Sequence, residues 1–376
     1  MYSRYLEPYI FKDLQKKMVF LGGPRQCGKT SLAQSILRNT SSGKYFNWDR
    51  KKDRLNILQE SWIDQDFLLI FDEIHKYKLW RNYLKGIFDT EREHHQFLVT
   101  GSARLDLYRR GGDSLLGRYF YWRLHPFTLS EIPEGFSVSE TFSRLMRVGG
   151  FPEPFLDGNE QEARRWRVSR TERVLREDIN DLESIKDIQT FQLLVELLQT
   201  RIGGAVVYTN LAEDLQVASS TVKKWIEILE RMYLIFTVLP YTNKLPRAIQ
   251  KPPKVYFYDN ADVEGDEGAR FENLVATHLI KKIQFLQDRD GDRYELRYIR
   301  DREKHEVDFV ILKNQEILQL IEVKWSDSAV SKSLQYFSER LKPKNVIQIV
   351  GTLKSSWSKN QLHMLTPYDA LSSLSL

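Results

Sequence analysis

The sequence predicts an α/β protein in three parts that begins with a parallel sheet, and three observations predict it. Short apolar runs ending in glycines, acids or hydroxyls (MVFLGG, FLLIFDE, QFLVTGS) recur through the first hundred residues, as expected of parallel strands buried on both faces. The middle carries a series of amphipathic helical patterns before the apolar run YLIFTVLPY, and the last part returns to strand and helix patterns. A chain of 376 residues is longer than one core usually supports, because cores divide into domains of roughly 100–200 residues. The Gly and Pro cluster GGFPEPF reads as a boundary. We expect domains over residues 1–150, 151–250 and 251–376.

Composition narrows the class. A hydrophobic share of 41% with 28% charged residues is ordinary for soluble globular proteins, and no apolar run approaches the ~20 residues needed to span a bilayer. The start, MYSRYLEPYIF, lacks the basic-then-apolar pattern of a signal peptide. One cysteine, Cys27, leaves no intramolecular disulfide to form, so the expected home is a reducing cytoplasm. A net charge of +5 permits a nucleic-acid partner without requiring one, since a local stripe of Lys and Arg matters more than the total.

MVFLGG reads as a buried strand and TSLAQSILRN as a helix with Leu32, Ile36 and Leu37 on its apolar side. Between them Gly23, Pro24, Arg25, Gln26, Cys27, Gly28, Lys29 and Thr30 spell G-x-x-x-x-G-K-T, with Ser31 next. The motif has the strand, loop and helix context it requires. Such a loop cradles phosphate oxygens with its backbone N–H groups, Lys29 adds a point charge, and Thr30 offers a hydroxyl to Mg2+. A glycine turn with a surface lysine is the alternative, and the flanking elements argue against it.

FLLIFDE reads as another buried strand and ends in Asp72 and Glu73. In the Walker B role Asp72 orders Mg2+ while Glu73 polarises the attacking water, two tasks suited to adjacent carboxylates at a strand's C-terminal edge. QFLVTGS then delivers Thr100 and Ser102, whose hydroxyls are candidates to sense a γ-phosphate. Arg118, in LLGRYFYWR, is a candidate for stabilising transition-state charge, because a guanidinium forks onto phosphate oxygens. A structural ion pair is the alternative for this residue.

GGPRQCGKTSL, LLIFDEIHKYKLWRNYLKGIFD, FLVTGSARLDL, LLGRYFYWRLHPFTLSEI and VGGFPEPF, in that order, resemble the prokaryotic AAA-type ATPases that carry a C-terminal domain of unknown function with a restriction-endonuclease-like core. The resemblance covers nearly the whole chain. It implies ATP rather than GTP as the nucleotide, and leaves open whether an arginine acts within one chain or across to a neighbour. Cys27 departs from the small aliphatic residue usual there; its similar size is compatible with binding.

In the middle part, Arg164, Arg165, Arg167, Arg170, Arg173 and Arg176 are interleaved with glutamates on a predicted helix. Mixed charge of this kind is ordinarily a solvated face, and a contact to nucleotide or DNA is the alternative. DIQTFQLLVELLQ, TNLAEDLQ, ASSTVKKWIEILERM and YLIFTVLPY follow the order of a winged helix-turn-helix, with Ser219 or Ser220 as cap of the recognition helix. A DNA reader of this kind would present Ser220, Thr221, Lys223 and Lys224 to the groove. Lys244, Arg247, Lys251 and Lys254 would follow as phosphate contacts. Winged helices also dock proteins.

In the last part, KVYFYD reads as a strand and GARFENLVATHLIKKI as a helix, followed by strands HEVDFVIL and ILQLIEVKW. Two-residue alternation puts Glu322 and Lys324 on one face. If the strands are neighbours, Asp308 joins them in the D…E-x-K arrangement of PD-(D/E)xK nucleases, with Glu272 an additional acid. Carboxylates there hold Mg2+ that activates water, and the lysine stabilises developing charge. A non-cleaving domain with surface ion pairs satisfies the same residues, and His305 reads as a loop residue. The sequence thus predicts an ATP- and Mg2+-dependent ATPase whose nucleotide state controls a DNA-binding, possibly DNA-cleaving, C-terminal half. The alternative is an ATP-dependent scaffold with an inert terminal domain that binds a protein.

Overall fold

The computed structural model describes residues 3–101, 115–174, 187–242 and 251–373 and divides into two compact units, Met1–Pro126 and Phe127–Leu376. Ser102, Arg176, Lys244 and Arg247 lie outside the described residues.

In the first unit, α1 (Glu7–Leu14) leads into β1 (Met18–Gly22), α2 (Lys29–Arg38), β2 (Gly43–Asn47) and α3 (Lys51–Leu58). Then come β3 (Leu68–Asp72), α4 (Trp80–Glu91), β4 (Gln96–Thr100) and β5 (Tyr119–Arg123). The strands form one sheet in the order β2-β3-β4-β1-β5, and every pairing is parallel. On one face Phe20, Phe71, Phe97 and Val99 pack with Trp80, Leu84, Ile87 and Phe88 of α4. Burying each of these large side chains contributes on the order of 2–3 kcal/mol. The alternate residues Val19, Leu21, Ile70 and Leu98 are also fully buried, which is why β1 and β3 read as unbroken apolar runs. β2, by contrast, buries only Phe46, and a half-exposed edge strand of this kind leaves no such run in the sequence.

The second unit opens with α5 (Val138–Arg147), α6 (Pro152–Asp157) and α7 (Glu160–Arg173). The backbone N–H of Phe127 donates to Gly150 O, so residues 127–150 belong to this unit. On α7, Arg165 pairs with Glu162 at the surface. Arg170 is instead buried, paired with Asp262 and Asp259 and seated on the rings of Phe151 and Trp166. Among the described residues the mixed-charge helix is therefore largely a solvated face, with Arg170 in the core and Arg167 half-buried.

Next come α8 (Ile188–Gln199), α9 (Tyr208–Leu215), α10 (Ser219–Arg231), β6 (Ile235–Pro240) and β7 (Lys254–Phe257). The expected serine cap on α10 is not made. Ala218 is the N-cap, with no side-chain cap hydrogen bond, and Ser219 is already the first helical residue. β6 and β7 pair antiparallel. Residue 250, where the sequence suggested a division, falls between these two strands of one sheet.

The remaining elements are α11 (Glu267–Asp290), β8 (Tyr294–Arg300), β9 (Glu306–Lys313), β10 (Glu316–Lys324), α12 (Lys332–Leu341) and β11 (Asn345–Val350). β12 (Trp357–Lys359), β13 (Leu362–Leu365) and the short α13 (Pro367–Leu371) follow. β8, β9 and β10 form an antiparallel meander, and β11 joins β10 in parallel after α12. The eight strands run β12-β13-β11-β10-β9-β8-β6-β7, because the end of β6 pairs with β8 at Leu239↔Arg297 and Pro240↔Tyr298. Among the described residues, no helix is long and apolar enough to cross a membrane.

α11 is the central helix of this unit. Its Asn273 accepts from Phe257 N and donates to Phe257 O, fastening the end of β7. Its buried His278 accepts from Leu129 N at 2.9 Å through Nε2 and contacts Leu274 O at 2.7 Å through Nδ1. Only the neutral ring with its proton on Nδ1 satisfies both, and burial pushes the imidazole down to about 3. An unfolded histidine titrates near ~6.5, so this contribution to stability is complete above pH ~6.5 and is lost as pH falls toward about 3. We expect His278→Gln to reduce the slope of unfolding free energy against pH by up to about 1.4 kcal/mol per unit between pH ~4 and ~6. Parallel slopes for variant and parent in pH-dependent urea melts would refute the buried neutral tautomer.

Candidate active site

The register of the parallel sheet brings the ends of β2, β3, β4 and β1 to one edge. Asn47 pairs with Asp72, Asp72 with Thr100, and Leu21 with Thr100. The loop after β1 starts at Gly23 (φ 128°) and ends at Gly28 (φ 95°). Both angles lie in the region that favours glycine, and a Cβ on Gly23 would collide with the backbone of Leu124. Gln26 is also left-handed, at φ 60°. Cys27 is fully buried beneath the loop, its thiol donating to Leu124 O at 3.4 Å; the departure in residue type is thus absorbed by packing. Arg25, Gln26, Thr30 and Ser31 are partly or fully exposed at the mouth.

Lys29 folds back over the loop. Its Nζ donates to Gly23 O at 3.0 Å and Pro24 O at 2.5 Å, and the residue is 8% exposed. A weaker contact reaches Cys27 Sγ at 4.0 Å; among the described residues Lys29 pairs with no carboxylate, so a nearly buried cation is balanced by carbonyl dipoles and a neutral sulfur. That arrangement suits an anion.

Asp72 is the hub beside it. Its Oδ2 accepts from Thr30 Oγ1 at 2.8 Å and from Tyr45 OH at 2.5 Å, and its Oδ1 accepts from Thr100 Oγ1. Burial and the Asp72 charge hold the Tyr45 phenol well above its ordinary value, so it remains a donor, with Asn47 Nδ2 donating to it in turn. Thr100 is fully buried and commits its hydroxyl to Asp72; it acts on the site through that carboxylate. Glu73 sits at φ 58°, a conformation costing a non-glycine residue about 1 kcal/mol. Its backbone N–H donates to Thr100 O, and its carboxylate lies 3.4 Å from Lys76 Nζ and 3.6 Å from His75 Nε2.

Arg118 does not join this group. It precedes β5, at the N-terminal edge, where Met18 N donates to Arg118 O. Its guanidinium forks onto both oxygens of Asp89 at 2.7 and 2.9 Å. Five residues of strand separate that edge from the loop, roughly 15 Å at the rise of a β-strand. Within one chain its guanidinium is thus engaged by Asp89, away from the loop.

In the second unit β9 and β10 are neighbours. Asp308 Oδ2 accepts from Val323 N at 2.9 Å, and Lys324 Nζ lies 2.9 Å from Glu322 Oε1. Ser331 Oγ also donates to Glu322 Oε1, while the buried Oε2 has no hydrogen-bond partner among the described residues. Glu272, on α11, accepts from Tyr256 OH at 2.7 Å. Burial first, and the Asp308 charge second, push Glu272 and Glu322 up to about 7.

Lys254 corrects the sequence expectation. It is 1% exposed and so unable to reach a DNA phosphate, and its Nζ meets Glu306, Asp308 and Glu272. Its placement at the start of β7 carries it into the sheet. On α10, Ser220, Lys223 and Lys224 are exposed and Thr221 partly so, while Val222, Trp225, Ile226 and Leu229 form the buried side.

Residues 15–133 match a family model described as an AAA domain. This segment is an AAA-type P-loop ATPase domain. Residues 139–261 and 267–371 match two models described as domains of unknown function, DUF8612 and DUF4143. Across the chain, Uncharacterized protein MJ1637 of Methanocaldococcus jannaschii is 25% identical, covering 93% of this chain and 84% of that protein. Uncharacterized protein Rv2008c of Mycobacterium tuberculosis is 24% identical, covering 64% of this chain, which spans about half of the relative (54%). Among solved structures, the Walker-type ATPase PABY2304 of Pyrococcus abyssi is similar over 70% of this chain and 95% of that one, with 14% identity and a TM-score of 0.45.

Two residues that support the AAA domain's site carried no signal in the sequence. Tyr45 reaches Asp72 from the edge strand β2. Arg4, ahead of α1, is buried and donates to Cys27 O at 2.8 Å and His125 O at 2.6 Å, joining the phosphate loop to the segment after β5. Hydrogen bonds from a charged donor contribute about 1.5–3 kcal/mol each. We expect Arg4→Met to weaken nucleotide affinity at least tenfold, on the order of 1.4 kcal/mol, while Arg4→Lys keeps part of it. Equilibrium titration with a fluorescent ATP analogue reads the effect; unaltered affinity in Arg4→Met would leave Arg4 without a role in shaping the loop.

Proposed function

We propose that the AAA domain hydrolyses ATP with Mg2+, and that Lys29 is the residue on which binding depends. The observation that carries this reading is the nearly buried Lys29 ammonium, held by loop carbonyls with no carboxylate partner among the described residues, beside the Thr30–Asp72 pair at the C-terminal edge of a parallel sheet, where ligands of such folds bind. The loop N–H groups and Lys29 take the phosphates. Thr30 and Asp72, whose oxygens are already together, are the residues that would hold Mg2+. The metal supplies Lewis-acid neutralisation of phosphate charge. Thr100 and Tyr45 keep the Asp72 carboxylate oriented, and Glu73, one residue past the strand end, accepts a proton from the attacking water. Its contacts with Lys76 and His75 hold that carboxylate before substrate arrives. Choice of ATP rests on the AAA match.

A second reading concerns the other unit, which we propose to be a winged helix followed by a restriction-endonuclease-like domain. Three helices followed by an antiparallel hairpin, α8 to β7, favour the first, and the order α11, β8, β9, β10, α12, β11 favours the second. The exposed Ser220, Thr221, Lys223 and Lys224 make α10 the surface for duplex DNA, and the nucleotide state of the AAA domain governs that binding. A protein partner with an inert terminal domain is the competing assignment.

Three measurements decide these points. Lys29→Ala should lose nucleotide binding and turnover, and wild-type hydrolysis by that variant would remove the assignment. Glu73→Gln should keep nucleotide affinity yet slow turnover by about 10²–10³-fold, the scale of a lost general base; unslowed turnover would exclude Glu73 from the chemistry. For the second unit, duplex affinity should fall steeply with salt, and the Lys223→Ala/Lys224→Ala double variant should flatten the log–log slope by about two. Salt-independent binding, or none, would favour the protein partner.

A further inference from the structure

Glu272, Asp308 and Glu322 come from α11, β9 and β10 toward one place, as a divalent cation would need. A cation of the chain's own already lies against two of them, Glu272 and Asp308. Lys254 Nζ is 2.7 Å from Glu306 Oε1, 3.3 Å from Asp308 Oδ1 and 3.5 Å from Glu272 Oε1, and 5.6 Å from the centre of the Tyr298 ring. Burial alone would pull its proton affinity down, but Asp308, Glu272 and Glu306 together hold it up, so the side chain stays charged.

Mg2+ gathers its ligand oxygens at about 2.0–2.1 Å, so they stand close to one another. Among the described residues, the group that brings three ligand atoms within 4.8 Å is Asp301, Glu303 and His305, at the β8–β9 turn. Glu272, Asp308 and Glu322 do not meet this condition, and the residues as folded do not fit a resident metal. The seat of Lys254 is fixed through its backbone. Ala205 bridges to Lys254, Val206 N donates to Pro253 O, and Tyr298 OH donates to Pro252 O. The buried, unbonded Glu322 Oε2 is the spare acceptor that the lysine does not serve.

We propose that Lys254 is the resident counter-cation of this carboxylate cluster, and that a divalent metal gains access to Asp308 only when the lysine leaves its seat. The ammonium compensates the charge that a metal would otherwise compensate, and its repulsion keeps a second cation out. The position of the β6–β7 hairpin, which carries Lys254, then determines whether the cluster accepts metal. This goes beyond the ATPase assignment and does not depend on it.

The test is Mn2+ uptake by the nucleotide-free full chain, followed by the electron paramagnetic resonance of free Mn2+. Asp72→Asn is present throughout, so that the AAA domain contributes no metal site. We expect no saturable, Asp308-dependent uptake with Lys254 in place. Lys254→Met should gain one saturable Mn2+ per chain, at a concentration at least tenfold below any at which the parent takes up Mn2+, accompanied by a Mn2+-dependent rise in Tm. Adding Asp308→Asn should abolish the gain, and Lys254→Arg should behave as the parent. Should Lys254→Met not fold, Glu306→Gln loosens the lysine from a partly exposed side and should raise uptake several-fold. One Mn2+ per chain in the parent, lost with Asp308→Asn, would overturn the proposal, as would no gain in both Lys254→Met and Glu306→Gln.

Discussion

The chemistry of the first unit depends on the parallel register that sets Asp72 beside Thr100 and both beside the end of β1. With strand ends level, three hydroxyls from three different elements (Thr30, Tyr45 and Thr100) meet one carboxylate. A carboxylate with its lone pairs used in fixed directions does not rotate freely, and fixed dipoles cost no reorganisation when charge develops nearby. A slip by one residue would turn Asp72 to the other face of the sheet. The phenylalanine packing between α4 and the strands therefore stabilises the register and, with it, the site.

The second unit relies on buried charges to a greater degree. Arg170 with Asp259 and Asp262, Lys281 with Glu131, and Lys254 with its three acids are all largely buried. Such pairs add little net stability over apolar replacements, but removing one partner leaves a buried charge uncompensated and is costly. Their consequence is specificity of arrangement. Arg170 fixes α7 to the segment after β7, Lys281 fixes α11 to the segment after Phe127, and Lys254 fixes the hairpin to β9. Because β6 also pairs with β8, the hairpin that follows the predicted DNA-reading helices and the strands that carry Asp308 and Glu322 belong to one continuous sheet.

Around that sheet four acids, Glu272, Glu306, Asp308 and Glu322, meet two lysines, Lys254 and Lys324. Glu272 and Glu322 are pushed up to about 7 by burial first and by the nearby Asp308 charge second. The crowding of negative charge raises the proton affinity of Glu272 and Glu322, and the Lys254 ammonium offsets part of it.

Much of this was legible in the sequence where the determinants are contiguous. The phosphate loop needs eight adjacent residues between a strand and a helix, so its glycines, Lys29 and Thr30 were readable, as were β1, β3 and β4 from their doubly buried apolar runs. The alternation of β10 placed Glu322 with Lys324, and the helical spacing of α11 identified its buried face. What only the tertiary structure decided are the contacts between elements distant in the chain. Arg4 under the loop, Tyr45 on Asp72 and Lys254 among the acids arise from which strands are neighbours and where they start, and a single sequence does not encode strand order locally. The same physics moved Arg118 to the opposite edge of the sheet: its distance from the loop is set by the direction of β5, which no motif around it reports.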